Sequence, residues 1–501
     1  MVTSCTSRKE GAVIALQEVQ ELTIQNIHHL LQTGELSVRE LVQAYLARIE
    51  QFDQQGPAIN AVIQVNPLAL KAADELDAAR RRGDACGLLH GIPVLVKDNI
   101  ETAGLETTGG SLSLAGYIPQ QDAFLISRLK QAGAVILAKT NLHEFAIWGE
   151  TVSSMLGQTL NPYDLTRSPG GSSGGTGSAV AANFGAVGIG TDTVNSVRSP
   201  SSANCLMGVK PTLGLVSRTG IIPYSLNQDT AGPMTRCVAD AAAVLSVIAG
   251  YDSADSATAD CRTKEPVNYS AYLNNEGLRG KRLGVVRNFF GKDPIHSEVN
   301  AVMATALQQL ADQGATLIEL TLPWTADFLI SDVSLHQYDF REHLEAYLEG
   351  LGDQVSVHSI ADILASGKYH PGISDTLNRA GQLSQRGDEY ARRVRLRQEI
   401  ISTTQELLDN QRLDALVFPH QKRLVVPVGQ PQLDRNGVLG AVTGFPAFTV
   451  PAGFSQPTAT APLGVPVGIE FVGRPWAEPD LFAITYAFEQ ATSVRKPPLV
   501  K

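Results

Sequence analysis

The glycine- and serine-rich segment at residues 168–178 has a composition that points to chemistry rather than to core packing. It reads SPGGSSGGTGS, which predicts a loop with unusual backbone angles, exposed N–H groups and available hydroxyls. The nucleophile pattern G-x-S-x-G occurs twice, centred on Ser172 and on Ser173, although any GGSSGG run satisfies it by composition. A phosphate-binding loop is excluded because no lysine follows the glycines. A flexible turn without chemistry stays an alternative.

Lys97 offers a second reactive group, at the end of the run GIPVLVKDN at residues 91–99. The apolar, β-favouring residues before it predict a buried strand that carries an amine at its end. A serine hydroxyl needs a base before it can act as a nucleophile, and an amine can be that base when burial lowers its pKa from about 10.4. The competing interpretation is a surface lysine paired with Asp98.

Three further blocks follow in order along the chain. They are GTDTVNSVR at 190–198, GVKPTLGLVS at 208–217 and DTAGPM at 229–234. Each block alone is weak evidence, but together with the two segments above they resemble the amidase signature family of serine amidohydrolases. The resemblance extends over about residues 20 to 490, and it is specific for the family rather than for a substrate.

The resemblance implies a Ser–Ser–Lys triad. Ser196 is then the nucleophile that forms an acyl-enzyme, Ser172 is the bridge that relays the proton, and Lys97 is the base. It also implies a cis peptide bond between Gly171 and Ser172. The backbone N–H groups expected to form the oxyanion hole are those of Thr193, Val194, Asn195 and Ser196.

The chain departs from the family at Val194-Asn195, where most members have Gly-Gly. A β-branched valine does not tolerate a positive φ, so either residue 194 keeps a negative φ or the loop differs. Asp192 and Arg198 are expected to support this loop by pairing with each other or with nearby carbonyls, and Ser173 is expected to hold the glycine-rich turn. Gln228 is a candidate for the substrate pocket, with an ordinary loop glutamine as the equal alternative.

Helical and strand patterns alternate around these segments. Ser37 and Glu40 form a capping-box pattern before a helix with one apolar face, and a helix at 122–131 is followed after Gly133 by a short apolar strand. This order predicts an α/β fold. The resemblance implies a single large domain with a mixed, twisted sheet flanked by helices on both faces.

We expect an amidase domain over residues 21–495, preceded by a weakly ordered lead-in at 1–20. Its signature core should occupy about residues 90–250. A helical insertion that contributes to the substrate pocket should occupy about residues 325–410.

Composition and charge exclude several function classes. The chain has 501 residues, 43% of them hydrophobic, and a net charge of -10, which argues against a nucleic-acid surface. Five cysteines without a C-x-x-C pair argue for a reducing compartment and against a disulfide framework. No histidine has metal-ligand spacing and no apolar stretch approaches the ~18 residues of a membrane span. We therefore expect no metal, no cofactor, no membrane and a cytoplasmic location.

The leading hypothesis is an amidase that hydrolyses the C–N bond of a small-molecule or peptide amide to a carboxylate plus ammonia or an amine, with a homodimer as a possible assembly. The segment at 214–232 resembles stand-alone bacterial amidases, including those that act on C-terminal peptide amides. One alternative is an α/β-hydrolase esterase that uses Ser173 with a distant histidine such as His420. Another is a non-catalytic or partner-dependent protein of the amidotransferase type.

Overall fold

The computed structural model describes residues 19–264 and 266–500. Most of the predicted lead-in at residues 1–20 therefore lies outside the described residues. Within them, eleven strands form one mixed sheet in the order β1-β3-β2-β6-β8-β7-β12-β13-β11-β9-β10, and β4 pairs with β5 apart from it. The strands are β1 (Val62–Val65), β2 (Pro93–Lys97), β3 (Val135–Thr140), β4 (Val152–Ser153), β5 (Gly157–Gln158), β6 (Val187–Asp192), β7 (Met207–Lys210), β8 (Thr230–Thr235), β9 (Arg282–Val286), β10 (Thr316–Leu320), β11 (Ala415–Pro419), β12 (Ala447–Phe454) and β13 (Pro466–Val472).

Helices flank the sheet on both faces, which confirms the predicted single large α/β domain with a mixed, twisted sheet. The helices are α1 (Ile24–Thr33), α2 (Val38–Phe52), α3 (Ala69–Arg82), α4 (Phe124–Gln131), α5 (Gly174–Ala181), α6 (Arg198–Ala203), α7 (Val238–Ile248), α8 (Ser297–Asp312), α9 (Ala326–Phe328), α10 (His336–Leu351), α11 (Ile360–Ser366), α12 (Ser374–Ala380), α13 (Asp388–Asn410), α14 (Val438–Thr443) and α15 (Glu478–Thr492). None of the helices in the described part of the chain combines the length and apolarity that a membrane span requires.

The capping box predicted at the start of α2 is present. The Ser37 hydroxyl accepts a hydrogen bond from the Glu40 N–H, and the Glu40 carboxylate accepts one from the Ser37 N–H at 2.8 Å. This exchange satisfies two N–H groups at the start of the helix that have no partner within the helix. The apolar face that follows, including Leu41, Val42 and Tyr45, is fully buried in the main core.

Helix α5 begins earlier than the sequence predicts. The small residues at 179–186 predict a helix there, whereas the helix starts at Gly174, inside the glycine run. Glycine is a poor helix former, but the site demands it, because a Cβ on Gly175 would lie 2.3 Å from the carbonyl oxygen of Asn141. Close packing against that backbone outweighs helix propensity here.

The central strands bring the chemistry-bearing segments together. Strands β2 and β6 are parallel neighbours, with Val96 aligned to Ile189, so their carboxyl ends lie side by side. Lys97 ends β2 and Asp192 ends β6. Between β10 and β11 the chain forms helices α9–α13, which we call the helical insertion.

Candidate active site

Lys97 is completely buried at the end of β2 and contacts hydroxyl groups. Its Nζ lies 2.8 Å from the Ser172 Oγ and 2.8 Å from the Thr191 Oγ1. Burial lowers the pKa of Lys97 to about 7, against the opposing effect of the carboxylates of Asp192 and Asp229. A large fraction of the amine is therefore uncharged near neutral pH, and its lone pair can accept a proton from a hydroxyl.

Burial alone does not identify a base, because Lys139 and Lys210 are also fully buried. Lys139 forms an ion pair with Asp98 at 3.3 Å, so the alternative in which Asp98 pairs with Lys97 is wrong. Lys210 donates to two main-chain carbonyls, and burial lowers its pKa to about 7 as well. What distinguishes Lys97 from both is its contact with a serine of the glycine-rich loop.

That loop is held against the segment before it by close backbone packing. The peptide bond between Gly171 and Ser172 is cis, as the resemblance implies. A Cβ on Gly171 would lie 2.7 Å from the Thr151 Oγ1 and 2.8 Å from the Gly149 carbonyl carbon, so no side chain fits at residue 171. The Ser172 carbonyl accepts a hydrogen bond from the His143 N–H at 2.9 Å, which fixes the serine from its backbone.

Residues 193–197, which we call the Ser196 loop, carry four consecutive free N–H groups. Within the described residues, none of the N–H groups of Thr193, Val194, Asn195 and Ser196 donates a hydrogen bond. Neither Val194 nor Asn195 has a positive φ, so the loop forms without the glycines that most of the family has there. Unpaired N–H groups in a row can stabilise a negatively charged oxygen.

The carbonyl groups of the same loop are all engaged. The donors are Gln228 Nε2 to the Thr193 oxygen (3.1 Å), Arg198 Nη2 to the Val194 oxygen (2.7 Å) and the Ser199 N–H to the Asn195 oxygen (2.7 Å). In a planar trans peptide the C=O and the following N–H point in opposite directions. Each pinned carbonyl therefore fixes the direction of a free N–H group.

Ser196 lies beside the glycine-rich loop but is not bonded to it through its hydroxyl. Its carbonyl accepts a hydrogen bond from the Ser173 N–H at 3.2 Å, whereas its Oγ has no hydrogen-bond partner within residues 19–264 and 266–500. The residue is 5% exposed. The structure therefore joins Lys97 to Ser172 directly and bonds the Ser196 backbone to the neighbouring Ser173, and the described residues show no hydrogen bond between the hydroxyls of Ser172 and Ser196.

A buried chain of hydrogen-bonded side chains supports the Ser196 loop, and Arg198 connects the chain to the Val194 carbonyl. Arg198 bonds to Asp192 at 3.0 Å and to Glu470 at 2.5 Å, and the second oxygen of Glu470 lies 2.5 Å from the His420 Nδ1. All four side chains are fully buried. Burial by itself raises the pKa of Asp192, but the Arg198 guanidinium lowers it overall, so this carboxylate stays ionised. The expected pairing of Asp192 with Arg198 is thus present.

Ser173 and Gln228, the remaining candidate residues, form hydrogen bonds with other protein groups. The Ser173 Oγ donates to the Thr191 carbonyl at 3.1 Å, and among the described residues it has no bond to His420, so the esterase hypothesis lacks its contact between nucleophile and base. Gln228 is fully buried, and both ends of its amide bond to protein groups. No group of three or more His, Cys, Asp and Glu side chains in the described part of the chain is arranged to hold a metal ion.

Sequence reasoning missed His143, which follows β3 and adjoins the site. Burial lowers the pKa of His143 to about 4; Glu150 opposes this shift, whereas Arg435 and Lys97 add to it. The imidazole is therefore neutral at physiological pH, with its Nδ1 accepting from the Glu150 N–H at 3.3 Å. A single histidine after a strand does not indicate in the sequence that its side chain will be buried beside the site. Glu470 was also missed, because 272 residues separate it from Arg198.

The chain is similar in sequence and in fold to known proteins. The Amidase family model matches residues 40–482. The solved structure of native peptide amidase from Stenotrophomonas maltophilia superposes with a TM-score of 0.86 at 39% identity, covering 96% of this chain and 99% of that one. A glutamyl-tRNA(Gln) amidotransferase subunit of Chloroflexus aggregans is 35% identical over 523 residues, 97% of this chain and 100% of the relative. A probable amidase of Arabidopsis thaliana is 34% identical over 525 residues, 99% of this chain and 95% of the relative.

The buried hydrogen bonds of Glu470 with Arg198 and His420 should stabilise the fold. Replacing Glu470 by glutamine leaves the buried guanidinium of Arg198 and the imidazole of His420 without their shared anion. We expect a loss of about 3 kcal/mol in the free energy of unfolding, measured by urea denaturation. The matched control is Glu276→Gln, because the Glu276–Arg279 pair is solvent-exposed and should contribute nothing measurable. Equal stability of the two variants would contradict the stabilising role of Glu470.

Proposed function

The chain belongs to the amidase family, and on that premise we propose that it is an amidohydrolase that cleaves the C–N bond of a linear carboxamide to give a carboxylate and ammonia or an amine. The observation that carries the proposal is the fully buried amine of Lys97 at 2.8 Å from the hydroxyl of Ser172. An amine whose pKa is lowered to about 7 is suited to take and return a proton near neutral pH.

In the proposed reaction, uncharged Lys97 accepts the proton of Ser172 while Ser172 accepts the proton of Ser196. The Ser196 Oγ then forms a bond to the carbonyl carbon of the amide. As the C–N bond breaks, the proton returns from Lys97 through Ser172 to the leaving nitrogen, which departs as ammonia or an amine. Water then attacks the acyl carbon and gives its proton through Ser172 to Lys97. The bond between the acyl carbon and the Ser196 Oγ breaks, and the proton returns to Ser196.

The Ser196 loop supplies the oxyanion hole in this proposal. A negative charge develops on the carbonyl oxygen when Ser196 attacks, and the free N–H groups of the loop are its donors. Such donors are already oriented before the reaction, and losing one of them typically costs about 10²–10³ in rate. The pinned carbonyls of Thr193, Val194 and Asn195 support this assignment, because they hold the donors in place.

Two observations bear on the substrate class. The likeness to a peptide amidase over 96% of the chain supports the C-terminal amide of a peptide as the first substrate to test. The likeness to an amidotransferase subunit over 97% of the chain favours a second candidate function, that of a protein whose activity depends on a partner. The purified chain alone distinguishes the two, because release of ammonia from a peptide amide without any partner excludes partner dependence.

The triad predicts the outcome of alanine substitutions. Replacing Lys97, Ser172 or Ser196 by alanine should lower kcat for an N-blocked peptide amide by about 10³-fold or more, measured as ammonia release. Ser173→Ala is the control, since Ser173 bonds only to backbone groups among the described residues and should keep activity within about tenfold. Full activity of the Lys97 variant would contradict the proposed base.

The pKa of Lys97 sets the pH dependence. The base acts in its uncharged form, so kcat/KM for an N-blocked amide should rise with pH and level off above an apparent pKa near 7. At one pH unit below that value the rate should be about one tenth of the plateau. A profile that continues to rise through pH 9 would show that the lysine keeps its ordinary pKa, contrary to this proposal.

A further inference from the structure

Gln228 connects the Ser196 loop to the helical insertion through its two amide ends. Its Nε2 donates to the Thr193 carbonyl at 3.1 Å. Its Oε1 accepts from the Leu335 N–H at 2.7 Å and from the Ser334 hydroxyl at 3.1 Å, both directly before α10. Because the side chain is fully buried, it offers no surface to a substrate, and it spans the gap between two parts of the fold.

Asp229, the next residue along the chain, forms a second contact with Thr193. The Thr193 hydroxyl donates to the Asp229 Oδ1 at 2.6 Å. The other oxygen of Asp229 accepts from the N–H groups of Tyr224 and Ser225, each at 2.9 Å. The turn at residues 224–229 therefore forms hydrogen bonds with both the carbonyl and the side chain of Thr193, the first residue of the Ser196 loop.

The same turn is fixed to the insertion by a buried carboxylate on α10. Asp339 is fully buried and accepts four hydrogen bonds. The donors are Ser225 Oγ (2.5 Å), Asn227 Nδ2 (3.0 Å), Gln385 Nε2 (2.7 Å) and the Tyr390 hydroxyl (3.0 Å). Arg397 on α13 adds a bond to the Asn227 carbonyl at 3.0 Å. The turn thus has little freedom to move independently of α10 and α13.

The bond from Gln228 fixes an orientation as well as a position. The Thr193 carbonyl and the Val194 N–H belong to one planar trans peptide, so holding the carbonyl toward Gln228 directs the N–H away from it. Val194 N–H is one of the four free donors of the loop. We propose that Gln228 is a positioning residue of the oxyanion hole, which aims the Val194 N–H at the substrate oxygen and makes that alignment depend on the seating of the helical insertion.

This inference rests on the proposed function. A positioning role for Gln228 and a role in lining the substrate pocket predict different effects on KM and kcat. A residue that lines the substrate pocket changes ground-state binding, and its loss raises KM. A residue that aims an oxyanion donor acts mainly in the transition state, so its loss lowers kcat and leaves KM nearly unchanged. The affinity for an aldehyde analogue of the substrate, which forms a tetrahedral adduct with the nucleophile, should fall in parallel with kcat/KM.

The experiment compares two substitutions at Gln228 with a matched one elsewhere. Gln228→Glu keeps an acceptor for Leu335 and removes the N–H donor to Thr193. Because a buried carboxylate can itself disturb the fold, Gln228→Met removes the donor without adding charge. Gln432→Met is the control, since Gln432 is also buried and uses its amide on main-chain groups, those of Val426 and Leu433. Each protein is assayed with an N-blocked peptide amide and a peptide aldehyde.

We expect both Gln228 variants to lose about tenfold to 100-fold in kcat with KM within about threefold, and the aldehyde inhibition constant to rise by a similar factor. The control should stay within about threefold of the wild type in all three quantities. A Gln228→Met enzyme with normal kcat, a change confined to KM, or an equal loss in Gln432→Met would overturn the inference while the wild type stays active. An inactive wild-type chain would instead refute the proposed function, and the inference would fall with it.

Discussion

The burial of an amine among hydroxyl groups is the constraint on which the rest of the site depends. A charged ammonium removed from water without an anion of its own is costly, so the lysine loses its proton more easily. The carboxylates of Asp192 and Asp229 oppose this effect and raise the pKa of Lys97, but burial is the larger cause. Asp192 is bonded to the positively charged Arg198, and Asp229 accepts hydrogen bonds from backbone N–H groups and from Thr193. Among the described residues, neither carboxylate forms a hydrogen bond with Lys97, whose amine contacts Ser172 and Thr191 instead.

The Ser196 loop has the complementary arrangement: its carbonyl groups accept hydrogen bonds, whereas the N–H groups from Thr193 to Ser196 donate none to any described residue. This arrangement explains how the loop tolerates Val194 and Asn195 in place of glycines. Since no positive φ is needed, the side chains can point away from the donors, and Val194 packs against an apolar cluster that includes Val438 and Leu439. The anchors come from distant parts of the chain, so the oxyanion donors proposed here are held by tertiary contacts rather than by the loop sequence. Such prior orientation is the feature that makes hydrogen-bond donors effective in catalysis.

Much of the fold can be read from local patterns, whereas the roles of the reactive groups are predicted by the resemblance to the family. The apolar run before Lys97, the capping box at Ser37 and the alternation of helices and strands all depend on neighbours in sequence, and the structure has each of them. The start of α5 was missed because packing at Gly175 overrides propensity. The contact of Arg198 with Glu470 and that of Gln228 with Leu335 could not be predicted, since they join residues 272 and 107 positions apart, and one sequence carries no signal for such contacts. Lys210, which ends β7 and donates to main-chain carbonyls, shows further that a lysine at a strand end does not by itself mark a base.

The most direct test of the central claim is to titrate the amine of Lys97 itself, without any substrate. The protein labelled with ¹³C at the lysine ε-carbon can be followed by NMR between pH 5 and 10, about two units or more on either side of the predicted value. Lys97→Met, Lys139→Met and Lys210→Met variants would assign the three signals whose pKa is lowered by burial. The account predicts a signal, lost in Lys97→Met, that titrates with a midpoint near 7. A Lys97 signal that stays in its charged position above pH 9 would contradict it.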